Sequence, residues 1–267
     1  MTAVAALLAK ELADLRRNPG VFLPGLLVGA LAAFLPFFVA VIVPVATGER
    51  LADSSDFQVA IEVYRTRPAL GGLGAEGAVQ AWIFQQFLIV LVLAPVTGSM
   101  AVAAYSVVGE KQARTLEPLL ATPITTLELL AAKVLGAAIP AVALTLACFA
   151  VAAGGAAVLA EPGVWRVFLL GESLATVFLI GPLASLAALQ LAVCASSRAV
   201  DARSAQQLGA LVVLPIAGLL VAALVGAVTL TATVIAWIAL GLLAANALLM
   251  RIGIALFARE SILTRWR

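Results

Sequence analysis

The residues that could perform chemistry in this chain of 267 residues are few, and their types exclude most catalytic sites. The chain has no histidine, which rules out Ser-His-Asp and Cys-His nucleophilic sites and also His-ligated zinc centres. Its three lysines are followed by Glu11, Gln112 and Val134, so none of them ends a glycine-rich phosphate loop of the Lys-Ser or Lys-Thr type. We therefore expect no catalytic residue, no bound cofactor and no metal site in this chain.

The most clearly patterned group of charged and hydrogen-bonding side chains lies at residues 110–133. Glu110 and Lys111 are typical of a charged helix end, and residues 116–120 form a short apolar turn. Thr125 and Glu128 have the spacing of a capping box, which predicts that a new helix begins there. An apolar turn outside the lipid is costly unless a membrane surface or another protein covers it. This segment is therefore the main candidate for a functional contact.

The elements that hold this segment are predicted to be membrane helices. The chain is 64% apolar and 11% charged with a mean hydropathy of +1.14, whereas a soluble domain is about 45–50% apolar and about 25% charged. A helix that crosses a bilayer needs about 20 apolar residues, and the uncharged intervals of the chain are long enough for six such helices. The predicted fold is an all-α polytopic membrane protein with spans at residues 20–47, 78–108, 134–160, 173–197, 205–226 and 230–250.

The distribution of basic residues predicts the orientation of these spans. With residues 1–18 on the cytoplasmic side, 12 of the 16 lysines and arginines lie on that side. This agrees with the positive-inside rule, so we expect both ends of the chain in the cytoplasm and the protein in the cell (inner) membrane. The formal net charge of +2 is too small to favour binding of nucleic acid.

Residues 1–18 are predicted to form an amphipathic helix at the membrane interface, ending at Asn18. Its apolar face contains Val4, Leu7, Leu8, Leu12 and Leu15. Its other face contains Lys10, Glu11, Asp14 and Arg17. A second short helix is predicted in the outer loop at residues 49–76, after the capping pattern of residues 55–58. Its apolar residues at helical spacing are Phe57, Ala60, Ile61 and Tyr64.

Small residues form a stripe along one side of the first span. Gly25, Gly29 and Ala33 recur at helical spacing, which predicts close approach of another helix. The stripe is our candidate for a dimer interface.

Uncharged polar residues in the second span are candidates for a substrate pathway. They are Gln85, Gln86, Thr97 and Ser99. The other interpretation is that these side chains form hydrogen bonds between helices.

Residues 110–133 resemble the loop between the second and third spans of ABC-2 type transporter permeases. In that family the loop reads Glu-Lys-Glu-x-Gly-Thr-Leu-Glu-x-Leu-Leu-x-Thr-Pro-Ile-Ser-x-x-Glu, followed by Gly-Lys. Twelve residues match at this spacing, namely Glu110, Lys111, Thr115, Leu116, Glu117, Leu119, Leu120, Thr122, Pro123, Ile124, Glu128 and Lys133. Gln112, Arg114 and Ala132 replace the usual Glu, Gly and Gly, and Thr125 replaces Ser.

The resemblance implies that residues 1–267 are a single transmembrane domain that works with a separate ATP-binding cassette subunit. ATP and Mg would be bound by that partner, and residues 110–128 would form a coupling segment seated in it. The implied contacts with the ATPase are Glu110, Lys111, Thr115, Leu116, Glu117, Pro118, Leu119, Leu120, Thr122, Pro123 and Glu128. The permease would pair with a second copy or a similar permease, and the uncharged spans favour export of an amphipathic or lipid-like substrate.

Two other classes of membrane protein are compatible with this composition. One is an ion-coupled carrier, which usually needs a charged residue inside a span, and none of the predicted spans has one. The other is a polytopic membrane enzyme without an ATPase partner, which the missing histidine and the lack of paired carboxylates within the spans disfavour.

Overall fold

The computed structural model of the protein describes residues 3–112, 125–196, 207, 210–224 and 230–256. These residues are almost entirely helical and none of them lies in a strand, which confirms the predicted all-α class. The helices are α1 (Ala3–Arg17), α2 (Leu23–Phe37), α3 (Val43–Thr47), α4 (Gln58–Arg65), α5 (Ala75–Gln112), α6 (Thr126–Leu159), α7 (Gly171–Ala175), α8 (Gly181–Ser196), α9 (Val213–Leu224) and α10 (Ala232–Leu256).

Among the described residues, five helical stretches are long and apolar enough to cross a membrane. They are Pro19–Thr47, Ala75–Ala103, Ala131–Leu159, Gly171–Ala195 and Ala232–Leu256. Each overlaps one of the predicted spans and differs from it by a few residues at its ends. The described part of the predicted fifth span, residues 205–226, is the shorter apolar helix Ala210–Ala223. Five candidate membrane-spanning helices are thus observed among the described residues, and the span at residues 205–226 remains a prediction.

Two of these stretches change helix type inside their length. In the first, α2 is followed by a π-helical turn at Phe38–Ile42 and then by α3. In the fourth, α7 leads into a π-helical turn at Thr176–Ile180 and then into α8, which contains Pro182 near its start. A proline removes the hydrogen bond to the carbonyl four residues earlier, which here belongs to Phe178 of the π-helical turn. The fourth stretch therefore changes its helical register next to this proline.

The helix α5 is the centre of the bundle. Within its most apolar part 72% of the residues are buried, compared with 11% for α10. It packs against α2, α6 and α8, and also against the short helix α4 and the described part of α9. α10 lies at the periphery, against α8. A displacement of α5 therefore affects more neighbouring helices than a displacement of α10.

A chain of aromatic rings connects several of these helices. Phe84 of α5 contacts Phe37 of α2 and Phe168, with ring centroids 4.9 and 5.8 Å apart. Phe149 of α6 contacts both Phe168 and Phe178, at 5.6 and 5.4 Å. Three of these four pairs are edge-to-face, a geometry that adds to the energy of area burial. The phenylalanines thus hold α2, α5, α6 and the π-helical turn of the fourth span together.

The short outer helix predicted between the first two spans is present as α4. Ala60, Ile61 and Tyr64 are buried, as the helical spacing predicts. The predicted capping of this helix by Ser55 is wrong, because Ser55 lies in a 3₁₀ turn, Ser55–Phe57, and α4 follows Phe57 without a side-chain cap. Ser54 caps the 3₁₀ turn instead, and its hydroxyl accepts a hydrogen bond from the backbone N–H of Asp56.

The amphipathic helix predicted at the start of the chain is α1, and it lies against the first turns of α6. One assignment of its faces is wrong. Glu11 was expected on the exposed face, but it is 7% exposed and contacts Lys133 of α6. The charge of Lys133 compensates that of Glu11, so a carboxylate can lie on the packed side of the helix.

Candidate functional site

The predicted coupling segment is flanked by the ends of two long helices. α5 extends through Glu110 and Lys111 to Gln112, and α6 begins at Thr126. Residues 113–124 lie outside the described part of the chain, and with them the predicted ATPase contacts Thr115, Leu116, Glu117, Pro118, Leu119, Leu120, Thr122 and Pro123. The predicted contact at these residues therefore stays a prediction.

The capping box predicted for the start of α6 is confirmed. The Thr125 hydroxyl accepts a hydrogen bond from the Glu128 backbone N–H at 3.2 Å. Glu128 Oε2 accepts from the backbone N–H and the hydroxyl of Thr125, both at 2.8 Å. These hydrogen bonds lower the pKa of the exposed Glu128 carboxyl below its ordinary value. The position at which the chain re-enters a helix after the segment is thus fixed by local hydrogen bonds.

The first turns of α6 carry a buried ion pair with α1. Lys133 Nζ donates to Glu11 Oε1 at 3.1 Å, and the two side chains are 1% and 7% exposed. Leu7 of α1 packs with Leu129 and Ala132 of α6 one turn away. α1 is therefore joined to the helix that leaves the coupling segment by both apolar and charged contacts.

The small-residue stripe of the first span packs within the chain. A Cβ atom built on Gly25 would lie 2.7 Å from Cα of Gly98 in α5, and one on Gly29 would lie 3.0 Å from Sγ of Cys148 in α6. Ala33 is 1% exposed. The close approach of other helices is observed, and these helices are α5 and α6 of the same chain. A second copy would have to displace α5 or α6 to reach these three residues.

The four polar candidates for a pathway all lie on α5, and the structure does not bring them to one surface. Gln85 and Ser99 are buried, while Gln86 and Thr97 are partly exposed. Gln85 accepts a hydrogen bond from the hydroxyl of Tyr64. The Gln86 Oε1 atom is buried and has no hydrogen-bond partner within the described part of the chain.

The two hydroxyl groups among these candidates are bound to backbone carbonyls. Thr97 donates to the carbonyls of Leu93 and Ala94 in its own helix, at 2.8 and 3.2 Å. Ser99 donates to Val96 and, across the helix interface, to Ser185 of α8, both at 3.3 Å. Hydrogen bonding within and between helices, the alternative interpretation of these residues, accounts for both hydroxyl groups.

Other polar side chains join helices in the same way, and they were not among the predicted site residues. Gln80 of α5 donates to the carbonyl of Ala40 at 3.1 Å and accepts from the backbone N–H of Glu161 at 2.8 Å. Gln190 of α8 donates to Asn246 of α10 at 2.8 Å. The signal in the sequence was an amide residue inside an apolar interval, but the sequence does not show which partner each amide has.

Tyr64 and the ion pair between Arg67 and Glu172 are among the contacts that attach the loop between the first two spans to the bundle. Burial of Tyr64 raises the pKa of its phenol, and the nearby positive charge of Arg67 partly opposes this effect. The Arg67 guanidinium lies 5.0 Å from the centre of the Tyr64 ring and 2.7 Å from Oε2 of Glu172, which stands at the start of the fourth span. These contacts fix α4 over the Ala75 end of α5.

An apolar cavity of about 220 Å³ lies between α5, α8, α9 and α10. Its walls include Val92, Ala184, Ile216 and Ile238. Among the described residues that line it, Thr176 alone has a polar side chain, and its hydroxyl donates to the carbonyl of Glu172. A cavity with such walls suits a hydrocarbon group and not an ion. None of the four predicted pathway residues lines it.

A second, more open cavity of about 490 Å³ lies where the first and third spans end and the second begins. Its lining includes Glu49, Arg50 and Glu161. Glu76 also lines it, and the Glu76 carboxylate accepts hydrogen bonds from the backbone N–H groups of Leu51 and Ala52 at 3.3 and 3.0 Å. This cleft is charged, in contrast to the apolar cavity.

Comparison with known proteins gives one match. A family model described as an ABC-2 family transporter protein matches residues 64–250, which is well over half of the chain. No curated protein and no solved structure matches the chain. The matched region begins within α4, includes the segment between α5 and α6, and ends within α10.

Proposed function

The chain belongs to the ABC-2 family of transporter proteins, and on this basis we propose that it is the permease subunit of an ABC exporter whose ATP is hydrolysed by a separate subunit. As a family member it is a membrane subunit for transport rather than a catalytic enzyme. None of its three lysines ends a phosphate-binding loop, which supports the assignment of ATP and Mg to the partner.

We propose residues 110–128 as the contact with the ATP-binding subunit. The observation that carries this proposal is that α5 and α6 enter and leave the segment as continuous helices, with the capping box fixing the start of α6. Both helices continue into the membrane, so a displacement of the segment is transmitted to two spans. ATP binding performs work on the permease only if its conformations differ in their contacts with the ATPase.

The proposed assembly contains two permeases and two ATP-binding subunits in the cell membrane. Each permease has six spans, including one at residues 205–226, and the helix α1 and the coupling segment lie on the cytoplasmic side. The surplus of basic residues on that side supports this orientation. The second permease is another copy or a similar chain, and a two-fold axis is the usual symmetry of such pairs.

The substrate is proposed to be amphipathic or lipid-like. The apolar cavity between α5, α8, α9 and α10 supports an apolar part of the substrate, because its walls offer almost no polar groups. Uncharged spans support the same class, since a charge at the centre of a membrane helix costs about 2.5–3.5 kcal/mol and is kept where function needs it.

Reconstitution tests the assignment as an ABC permease. The chain is coexpressed with a candidate ATP-binding subunit, and the purified assembly is measured by native mass spectrometry and placed in lipid vesicles. We expect two copies of each subunit, and export of a fluorescent lipid that requires ATP and stops when the ATPase is inactivated by mutation. Transport by the permease alone, driven by an ion gradient, would support an ion-coupled carrier instead.

Substitutions in the apolar cavity test the substrate class. Ile238→Trp places a large ring in the cavity, whereas Leu240→Trp changes the same helix at a residue that is 56% exposed. We expect Ile238→Trp to reduce transport and Leu240→Trp to leave it unchanged, with equal amounts of assembled protein. Equal transport by both variants would contradict a role for the cavity in substrate binding.

A further inference from the structure

A buried ion pair lies where α1 meets the helix that follows the coupling segment. Lys133 and Glu11 are 3.1 Å apart at their charged atoms and nearly inaccessible to solvent. The two helices are very close here, because a Cβ atom on Gly136 would lie 2.7 Å from Cβ of Glu11. Taking two charges out of water is costly, and a buried ion pair is often no more stabilising than apolar residues of the same volume. Stability alone does not account for a pair of charges at this interface.

The ion pair depends on the relative orientation of the two helices, whereas apolar contacts do not. Leu7, Leu129 and Ala132 form an apolar contact between the helices, and such contacts tolerate sliding and rotation. A carboxylate and an ammonium group joined at hydrogen-bond distance fix the rotation and the axial position of α1 on α6. The backbone contact at Gly136 permits this register, because any side chain at that position would separate the helices.

The position of the pair along α6 is close to the coupling segment. Lys133 lies eight residues after Thr125, the N-cap residue of α6, which corresponds to about 12 Å along a helix. The intervening turns are continuous α-helix, and the capping box holds their first turn. A displacement of the segment therefore reaches Lys133 through a rigid element.

We propose that the Glu11–Lys133 ion pair is a positioning device that locks α1 to α6, so that both move as one unit when the ATPase displaces the coupling segment. The inference rests on the proposed function. Glu11 and Lys133 act through the helices that they join, and they contact neither substrate nor nucleotide in this role. Without the pair, α6 moves without α1, and ATP hydrolysis is no longer matched to transport.

The test compares neutral variants at the pair with neutral variants at exposed charges of the same helix. The test variants are Glu11→Gln and Lys133→Gln, and the controls are Asp14→Asn, whose side chain is 46% exposed, and Arg16→Gln at another exposed residue of α1. Lys10 is not a control, because its Nζ lies 4.0 Å from Oε1 of Glu11. The measurements on the reconstituted assembly are substrate transported per ATP hydrolysed, and thermal stability. Loss of one charge of the buried pair is expected to lower the equilibrium constant for docking of α1 on α6 by roughly tenfold or more.

A crosslink provides a rescue that a merely structural role would not predict. Leu7→Cys and Leu129→Cys are introduced together into the Glu11→Gln variant, with the native cysteines replaced by alanine, and the thiols are joined by a short crosslinker. We expect Glu11→Gln to lose transport per ATP, the crosslink to restore it, and both controls to match the wild type.

The possible failures can be told apart. Wild-type transport per ATP in Glu11→Gln, or no recovery after complete crosslinking, overturns the ion-pair inference while leaving the proposed function in place. Reduced thermal stability with an unchanged ratio of transport to hydrolysis also overturns it, because the pair would then only stabilise the fold. A wild-type assembly without ATP-dependent transport contradicts the proposed function itself, and this inference fails with it.

Discussion

Replacement of Gly25 by alanine is expected to separate α2 from α5. The added Cβ would lie 2.7 Å from Cα of Gly98 and 3.1 Å from the carbonyl oxygen of Ala94. Carbon atoms in good contact are about 3.5–4.0 Å apart, so the overlap is about 1 Å. Both neighbouring atoms belong to the backbone of α5 and cannot rotate away. The two helices must therefore move apart along their contact.

The expected cost follows from this geometry. Overpacking of a close contact costs about 1–3 kcal/mol, and the higher helix propensity of alanine offsets about 0.5–1 kcal/mol of it. The net loss is up to about 2.5 kcal/mol, which corresponds to a fall of up to roughly 10 °C in the melting temperature for a chain of this size. Gly98→Ala should cost less, because its Cβ would meet the ring of Phe22 at 2.9 Å, and a side chain can rotate.

The assay is thermal unfolding of the purified protein in detergent, followed by intrinsic tryptophan fluorescence, with native mass spectrometry on the same samples. The matched control is Gly241→Ala in α10, where nothing lies within 4 Å of the added Cβ and a small rise in melting temperature is expected. If Gly25→Ala melts like Gly241→Ala but changes the oligomeric state, the stripe contacts a second copy and the packing argument is refuted.

Three further predictions concern the proposed coupling segment, the topology and the start of α6. Leu119→Asp should abolish transport without preventing insertion, because a carboxylate buried in an apolar socket of the ATPase is heavily penalised; wild-type transport would move the coupling role to another segment. In a cysteine-free background, Val59→Cys, at a residue 74% exposed, should react with a membrane-impermeant thiol reagent from outside, and Ala9→Cys only from inside; the reverse pattern would invert the topology. The pKa of Glu128 is lowered in the folded state, so the stability that its capping box adds should be present above the pKa of an unfolded glutamate and lost as the pH falls through the lower folded value. The protection of the first turn of α6 from hydrogen exchange, measured relative to the intrinsic exchange rate at each pH, should accordingly decrease in acid for the wild type. Glu128→Ala, which removes the acceptor, should show the lower protection already at neutral pH.

Local patterns in the sequence predicted the local structure, and they failed where the partner of a residue is distant. The capping box of Thr125 and Glu128 follows from residues three positions apart, so it could be predicted. The small-residue stripe predicted close approach of a helix, but nothing in the spacing of Gly25 shows whether that helix belongs to the same chain. Glu11 was assigned to the exposed face because helical periodicity separates polar from apolar residues and does not identify a charge whose partner, Lys133, lies in another helix.

The two ion pairs also have a consequence for biosynthesis. Glu11 and Lys133 are separated by 122 positions, and Arg67 and Glu172 by 105. At about 5–20 residues added per second, Lys133 leaves the ribosome roughly 6–24 seconds after Glu11. During this interval Glu11 cannot contact Lys133, because α6 has not yet been synthesised. Arg67, in the loop between the first two spans, likewise cannot contact Glu172 until the start of the fourth span has been synthesised. The early hairpin of two spans therefore precedes both ion pairs, and each pair can form only after a later span has been synthesised.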